Sequence, residues 1–314
     1  MRNIYFIVFV ILVFSACEEA FLPDVSENEQ EIIVEGHIEK GDEALPPYVL
    51  LSRSLPFFGS FEPSDIAELQ IDDASVYVNH MGETYPLQYI CLSDLPPEIR
   101  QSISEEIALI PNMNSTDFCI YIDIGQEIPL VYEEPYHLSI ILSDGDTLQS
   151  STIIPEHVPI DSFRFTPPPG QDPIDTLARL LATISDPAPE PNYYRYLTAG
   201  EGQALIAGFG SVTDDAFFNG QSFEFPLQKA IDTQSGEDIA PEEFGLYERG
   251  DTIRIKWINI DREHFEFWNT FEFNLNNQGP FSTYTRVSSN VSGSLGIWGG
   301  YSSTIYTLVV PEEE

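Results

Sequence analysis

YHLSIILSDGDTLQSSTI, residues 136–153, decides the fold. Tyr136, Leu138 and Ile140 share one face and His137 lies on the other, the period of two that marks a half-buried strand. Asp144-Gly145 interrupts the alternation and supplies the positive φ angles of a tight type I′ turn, so the stretch reads as a hairpin. Just upstream, ASVYVNHMGETYPLQYI (74–90) repeats the pattern. Val76 and Val78 lie opposite Tyr77 and Asn79, with a turn at Met81-Gly82-Glu83. EIIVEGHIEK (31–40) and YVLLSRSLPF (48–57) add earlier strands. Short strands punctuated in this way predict an immunoglobulin-like β-sandwich. Between Cys91 and Cys119, PPEIRQSISEEIALIP (96–111) opens on two prolines and spaces Ile99, Ile103 and Ile107 for one short amphipathic helix.

IIPEHVPIDSFRFTPPPGQDP (153–173) is rich in proline and predicts a domain boundary near Pro159. Beyond it, TLARLLATISDP (176–187) has helical composition, although a strand there is also compatible with the prolines that follow. NYYRYLTA (192–199), QALIAGFG (203–210) and QSFEFPL (221–227) read as strands. TIRIKWINI (252–260) sets Ile253, Ile255 and Trp257 against Arg254 and Lys256, a half-buried strand with a wet face. DREHFEFWNTFEFNLNN (261–277) changes period. Phe267, Trp268, Phe271 and Leu275 fall on one helical face, and Asp261 can cap its start. VSGSLGIWGGYSSTIYTLVVP (291–311) reads as two strands around a glycine-rich centre. The fold expected is therefore mostly β, with a sandwich over 31–158 and a second β-rich domain over 159–314 carrying one helix.

The first residues, MRNIYFIVFVILVFSACEE, carry a different signal. Arg2 precedes an uninterrupted apolar run from Ile4 to Phe14, too short to span a bilayer of about 30 Å as a helix. Phe14-Ser15-Ala16-Cys17 resembles a bacterial lipobox, with Phe14 where leucine is usual. In that pattern cleavage falls before a lipidated cysteine. Residues 1–16 are then a lipoprotein signal peptide, Cys17 is the lipidation site, and 17–30 form an acidic tether. The alternative is an ordinary signal peptide with a chance cysteine. Each buried methylene contributes about 0.8 kcal/mol, so two or more acyl chains hold firmly in the outer-membrane lipid. Glu18 and Glu19 resemble the surface-export signal of Bacteroidetes lipoproteins.

The 314 residues carry 13 Lys and Arg against 51 Asp and Glu, a formal net charge of −38. Nothing in that balance can neutralise a nucleic-acid backbone or favour anionic headgroups. A solvated acidic exterior is the plain reading. Cys91 and Cys119 are compatible with a disulfide, which an exported protein keeps, or with two separate buried thiols.

Taken in order, the lipobox cysteine, IIVEGHI, VLLSRSLPFF, ASVYV, the 136–163 block, DPAPEPNYYRY, DDAFFNGQSFEF, DREHFEFW and SSNVSGSLGIWGGYSS resemble the DUF4249 family. These are Bacteroidetes lipoproteins without an assigned biochemical function. The resemblance spans nearly the whole chain after Cys17. It implies an exported protein acting as accessory to an outer-membrane receptor of TonB-dependent type, because members are often encoded beside such receptors. It also implies a strand rather than a helix at 176–186.

Motifs for chemistry are absent. The five histidines, His37, His80, His137, His157 and His264, form no HExxH or close carboxylate spacing. Asp261-Arg262-Glu263-His264 reads as a capped helix start. Gly300-Tyr301-Ser302-Ser303 fails the nucleophile-elbow pattern, and the glycines around it suit close backbone packing better than a phosphate cradle. No catalytic residue, metal ligand or cofactor is expected, and the chain reads as a non-catalytic binding protein. Phe57 and Phe58, in the loop-like PFFGSFEP (56–63), form a candidate contact surface. With other aromatics they suggest the alternative of a glycan- or peptide-binding module.

Overall fold

The computed structural model describes residues 30–54, 68–97, 99–100, 103, 118–170, 175–231, 240–277 and 285–312. The first part of the chain forms β1 (Ile32–Gly41), β2 (Tyr48–Arg53), β3 (Ser75–His80), β4 (Glu83–Pro86), β5 (Gln88–Cys91), β6 (Cys119–Ile122), β7 (Pro135–Ile141) and β8 (Thr147–Ile153). The remainder forms β9 (Ile160–Thr166), β10 (Leu177–Ser185), β11 (Tyr193–Gly200), β12 (Ile206–Asp214), β13 (Ser222–Pro226), β14 (Tyr247–Glu248) and β15 (Thr252–Ile260). The helix α1 (Arg262–Asn276) and the long strand β16 (Leu295–Val309) complete it. The fold is mostly β, with several sheets and one long helix among the described residues.

A sheet of eight strands runs β12-β11-β15-β16-β1-β2-β6-β5. Two sheets of four lie against it, β4-β3-β7-β8 and β13-β10-β14 with β9 on β10. Paired residues point to the same side of a sheet, so the register fixes what each face meets. Val34 pairs with Gly296 and Gly36 with Trp298, while Ile255 pairs with Tyr306 and Trp257 with Thr304. Even-numbered positions of β16 therefore face both smaller sheets. One core gathers Val34, Val49, Val78, Leu138, Ile140 and Trp298. The other gathers Leu180, Ile184, Tyr194, Ile255 and Trp257. Two sandwiches thus sit side by side on one face of one sheet.

The division expected at 158/159 falls between these two cores. That point marks where the chain passes from the first core, which holds Ile154, to the second, which holds Val158. It does not mark a break in the sheet. β16 lies between β1, with which it runs parallel, and β15, with which it runs antiparallel. The N-terminal sandwich is completed by Val291 and Trp298 from the far end of the chain. β16 is also one strand rather than two, because its glycines admit neighbours instead of breaking the ladder. A Cβ on Gly296 would strike the Val34 backbone, and one on Gly300 would strike the Ile153 carbonyl.

Local readings divide in the same way. Met81 and Gly82 take φ of 51° and 86° between β3 and β4, a turn of the expected place and kind. At the 136–153 hairpin only Gly145 has positive φ, 94°. Leu142 N–H donates to Asp146 O at 2.9 Å and Gly145 N–H to Leu142 O at 3.0 Å. The loop therefore has three residues rather than the two of a type I′ turn, with glycine in the left-handed position. Residues 177–185 form a strand, as the family resemblance implies and the helical composition does not.

Cys91 and Cys119 are paired across β5 and β6 and joined by a disulfide. The excursion they enclose starts helically, with residues 97, 99, 100 and 103 helical. Ile103 is buried with Tyr48, Leu50, Leu95, Phe118 and Ile120 on the sheet face away from the sandwiches. Ile107 lies outside the described residues.

Two stability outcomes follow. Gly300→Ala should destabilise by about 3 kcal/mol, because the new methyl has no space that does not displace β8; urea unfolding measures it, and a midpoint equal to wild type would remove this account of β16. Reducing the disulfide opens a loop with a sequence separation of 28, which should cost about 3–4 kcal/mol. An unfolding midpoint indifferent to reductant would contradict that.

Candidate functional site

The face of the large sheet turned away from the sandwiches is where charge is buried. β1 sends Glu35, His37 and Glu39 to this side, beside Gly299, Tyr301 and Ser303 of β16. β15 adds Arg254, Lys256, Ile258 and Ile260, and β11 adds Arg195 and Leu197. α1 crosses above them. Its start is held by Asp261, whose Oδ1 accepts the His264 N–H at 2.8 Å and whose Oδ2 accepts the Thr152 hydroxyl at 2.5 Å. Thr152 Oγ1 in turn accepts Gly300 N–H at 2.7 Å. The cap thus ties helix, β8 and β16 together. Burial raises the Asp261 carboxyl to about 6 despite these donors.

The helix turns toward the sheet a line that differs from the expected apolar stripe. His264 and Trp268 are buried, Glu272 is half-buried, and Leu275 is 53% exposed. Arg195 sits over the Trp268 ring, its guanidinium carbon 3.5 Å from the ring centroid. Its Nε donates to Ser211 Oγ at 3.2 Å and its guanidinium reaches Glu272 at 3.9 Å. Ser211 N–H donates to Glu272 at 2.9 Å, and its hydroxyl donates to the same carboxylate. Lys256 is 2.9 Å from Glu39, which also accepts the Ser303 hydroxyl. At the rim, Arg254 holds the exposed Glu43 at 2.7 Å. The wet face expected on β15 is therefore covered, and Lys256 is only 8% exposed.

These groups surround a cavity of about 100 Å³ between α1 and the sheet. His37 and His264 stand 5.9 Å apart across it. His37 meets Glu35 at 3.4 Å through Nε2, and its buried Nδ1 has no hydrogen-bond partner. Trp268 Nε1 is likewise buried without a partner. Burial, and then the nearby His37 and Arg195, push His264 well below the ordinary histidine pKa, so it is neutral. Among the described residues no group of three or more His, Cys, Asp or Glu side chains converges to hold a metal ion.

Two other concavities occur. A groove of about 870 Å³ follows the linker at 155–159, the proline loop at 187–191 and the start of α1. An aromatic cleft of about 280 Å³ opens into the second core, walled by Tyr194, Tyr196, Phe218, Phe223, Phe225 and Trp257. Phe218 and Phe223 stack at 4.8 Å, and Tyr194 and Trp257 at 5.1 Å.

Of the residues singled out from sequence, Cys17, Phe57 and Phe58 lie outside the described residues. Cys91 and Cys119 sit at the far edge of the sheet, on the strands that end it. Sequence reasoning missed Arg195, Lys256, His37 and His264. The available signal was that Glu35-His37-Glu39 and Arg254-Lys256 both alternate with apolar residues that carry the cores, so a helix packed on the sheet has to cover the charged face. Among the described residues no helix is long and apolar enough to cross a membrane.

The model of the family described as a domain of unknown function, DUF4249, matches residues 18–307. No curated protein matches the chain.

The neutral His264 gives stability a pH dependence of known sign. Its folded pKa is lowered, so its contribution is present above the unfolded histidine value of about 6.5 and is lost as pH falls below it. Against His264→Gln, wild type should lose up to about 1.4 kcal/mol per pH unit between about pH 6.5 and pH 5. Asp261, with a raised pKa, acts the other way: its contribution is present at low pH and lost as pH rises through about 6. Urea unfolding of both proteins across this range isolates His264, and parallel curves would contradict its assignment as buried and neutral.

Proposed function

The chain belongs to the DUF4249 family, and from that premise we propose that it is a non-catalytic, lipid-anchored binding protein of the outer membrane, displayed at the cell surface as accessory to a TonB-dependent transporter. The observation that carries this is positional. The family match begins at residue 18, directly after Cys17 of the lipobox-like Phe14-Ser15-Ala16-Cys17. A cysteine in that place puts acyl chains at the start of the family region and leaves the acidic stretch through residue 30 as a spacer. The buried charges support binding over catalysis: Lys256 and Arg195 are each committed to a carboxylate.

A second reading, capture of glycan or peptide, draws on the aromatic cleft. Phe223 at its wall is 40% exposed and the neighbouring Phe217 is 92% exposed, rings of the kind that stack on sugars. Phe57 and Phe58 remain the loop candidates for the same role.

Cys17→Ala should abolish incorporation of labelled palmitate and release the protein from envelopes, since a residual signal peptide without acyl chains is a poor anchor. Affinity purification of the tagged wild type from native membranes should bring a transporter with it. Palmitate in the variant, or a wild type recovered as a lone species, counts against the proposal. A glycan array with wild type and Phe223→Ala tests the second reading, which fails if neither binds.

A further inference from the structure

We propose that the cavity beneath α1 is a binding site for a small carboxylate, or for the carboxylate end of a larger ligand, which takes the place of Glu43 on Arg254.

Three independent features of the wall point to this chemistry. The first is unmet donor capacity. An indole N–H only donates; Trp257 Nε1 is bonded to Val158 O and Trp298 Nε1 to Tyr136 O, while Trp268 Nε1, equally buried, has no partner. A buried N–H without an acceptor is costly, so the wall is matched to a ligand that brings oxygen acceptors.

The second is the distribution of charge. In a chain with 51 acids and 13 Lys and Arg, this wall holds Arg195, Arg254 and Lys256 and only Glu35 and Glu43 among the acids. Lys256 and Arg195 are already matched to Glu39 and Glu272. That leaves compensation for one negative charge at Arg254, which suits a monocarboxylate better than a doubly charged phosphate.

The third is that a carboxylate already stands at the mouth. Glu43 binds Arg254 at 2.7 Å with its side chain 66% exposed, and its own backbone takes φ of 57°, a left-handed conformation that a glutamate adopts at a cost. An exposed ion pair of this kind is weak. A ligand carboxylate can therefore exchange for it on the same guanidinium while its other end enters the cavity, whose volume of about 100 Å³ takes a few heavy atoms.

The three tryptophans of the chain provide the readout. With ¹⁵N-labelled indole, proton–nitrogen correlation spectra of the full soluble chain from residue 18 show one signal per ring, and Trp268→Phe identifies the third. Sodium acetate, at ionic strength held constant with chloride, should move the Trp268 signal saturably downfield and leave the other two in place. Acetamide, the neutral isostere, should not. Glu43→Gln should tighten acetate about fivefold by removing the competing carboxylate, and Arg254→Gln should weaken it about tenfold; both changes lie at the rim, and unaltered Trp257 and Trp298 signals report an intact fold. The proposal is overturned if the Trp268 signal does not saturate, if all three signals move together, if acetamide acts like acetate, or if Glu43→Gln binds no more tightly than wild type.

Discussion

In its first half β16 passes between the Ile153 carbonyl on one side and the His264 ring on the other, and only glycine lets it through. Gly300 meets the end of β8 and Gly299 meets the helix. A side chain at either position would push apart layers that the rest of the chain has already fixed. The strand passing this gap is also the one that joins β1 to β15. Take it away and the eight-stranded sheet becomes two separate pieces, each sandwich losing a wall. The two cores are thus separate in their side chains and common in their backbone, and a contact set by the last residues of the chain completes the fold of the first.

The Asp261 cap belongs to the same constraint. A helix N-terminus needs acceptors for its first N–H groups, and Asp261 supplies one while also accepting the hydroxyl of Thr152. Thr152 itself receives Gly300 N–H. One carboxylate, one hydroxyl and one backbone amide therefore set where α1 lies over the sheet, and with it the height of the cavity. The burial that raises the Asp261 pKa is the cost of placing this junction inside.

Much of the architecture was legible because it is local. Val76 and Val78, or Leu138 and Ile140, declare their strands by alternation, and Met81-Gly82 declares its turn. The helix at 261–277 is announced by its change of period and by Asp261. What was not legible is non-local. The glycines of 293–300 look like a break from inside the segment, and only Val34, Ile153 and His264 show that they are a close approach. The 177–185 strand overrides its own helical composition because β9 and β13 pair with it on either side. Arg254 and Lys256 look solvent-facing because alternation tells which residues share a face and not what covers it.

That last failure bears on function. β15 shows what this chain does when it builds a core: Ile253, Ile255 and Trp257 close one face with apolar side chains. On the opposite face of the same strand it buries Lys256 with Glu39, and beside them Arg195 with Glu272 and two histidines. Buried ion pairs rarely out-stabilise apolar residues of the same volume, since desolvation offsets most of their attraction. The long-range field of a chain at −38 adds little at this depth, being screened over about 8 Å at physiological salt, so the local pairs decide the potential inside. The polar layer is thus no better for stability than the apolar packing used a few ångströms away. What it adds is direction: fixed donors, a guanidinium over an indole, and a single salt bridge at the rim that water already reaches. Those are the properties on which the proposal of a site for a small carboxylate rests.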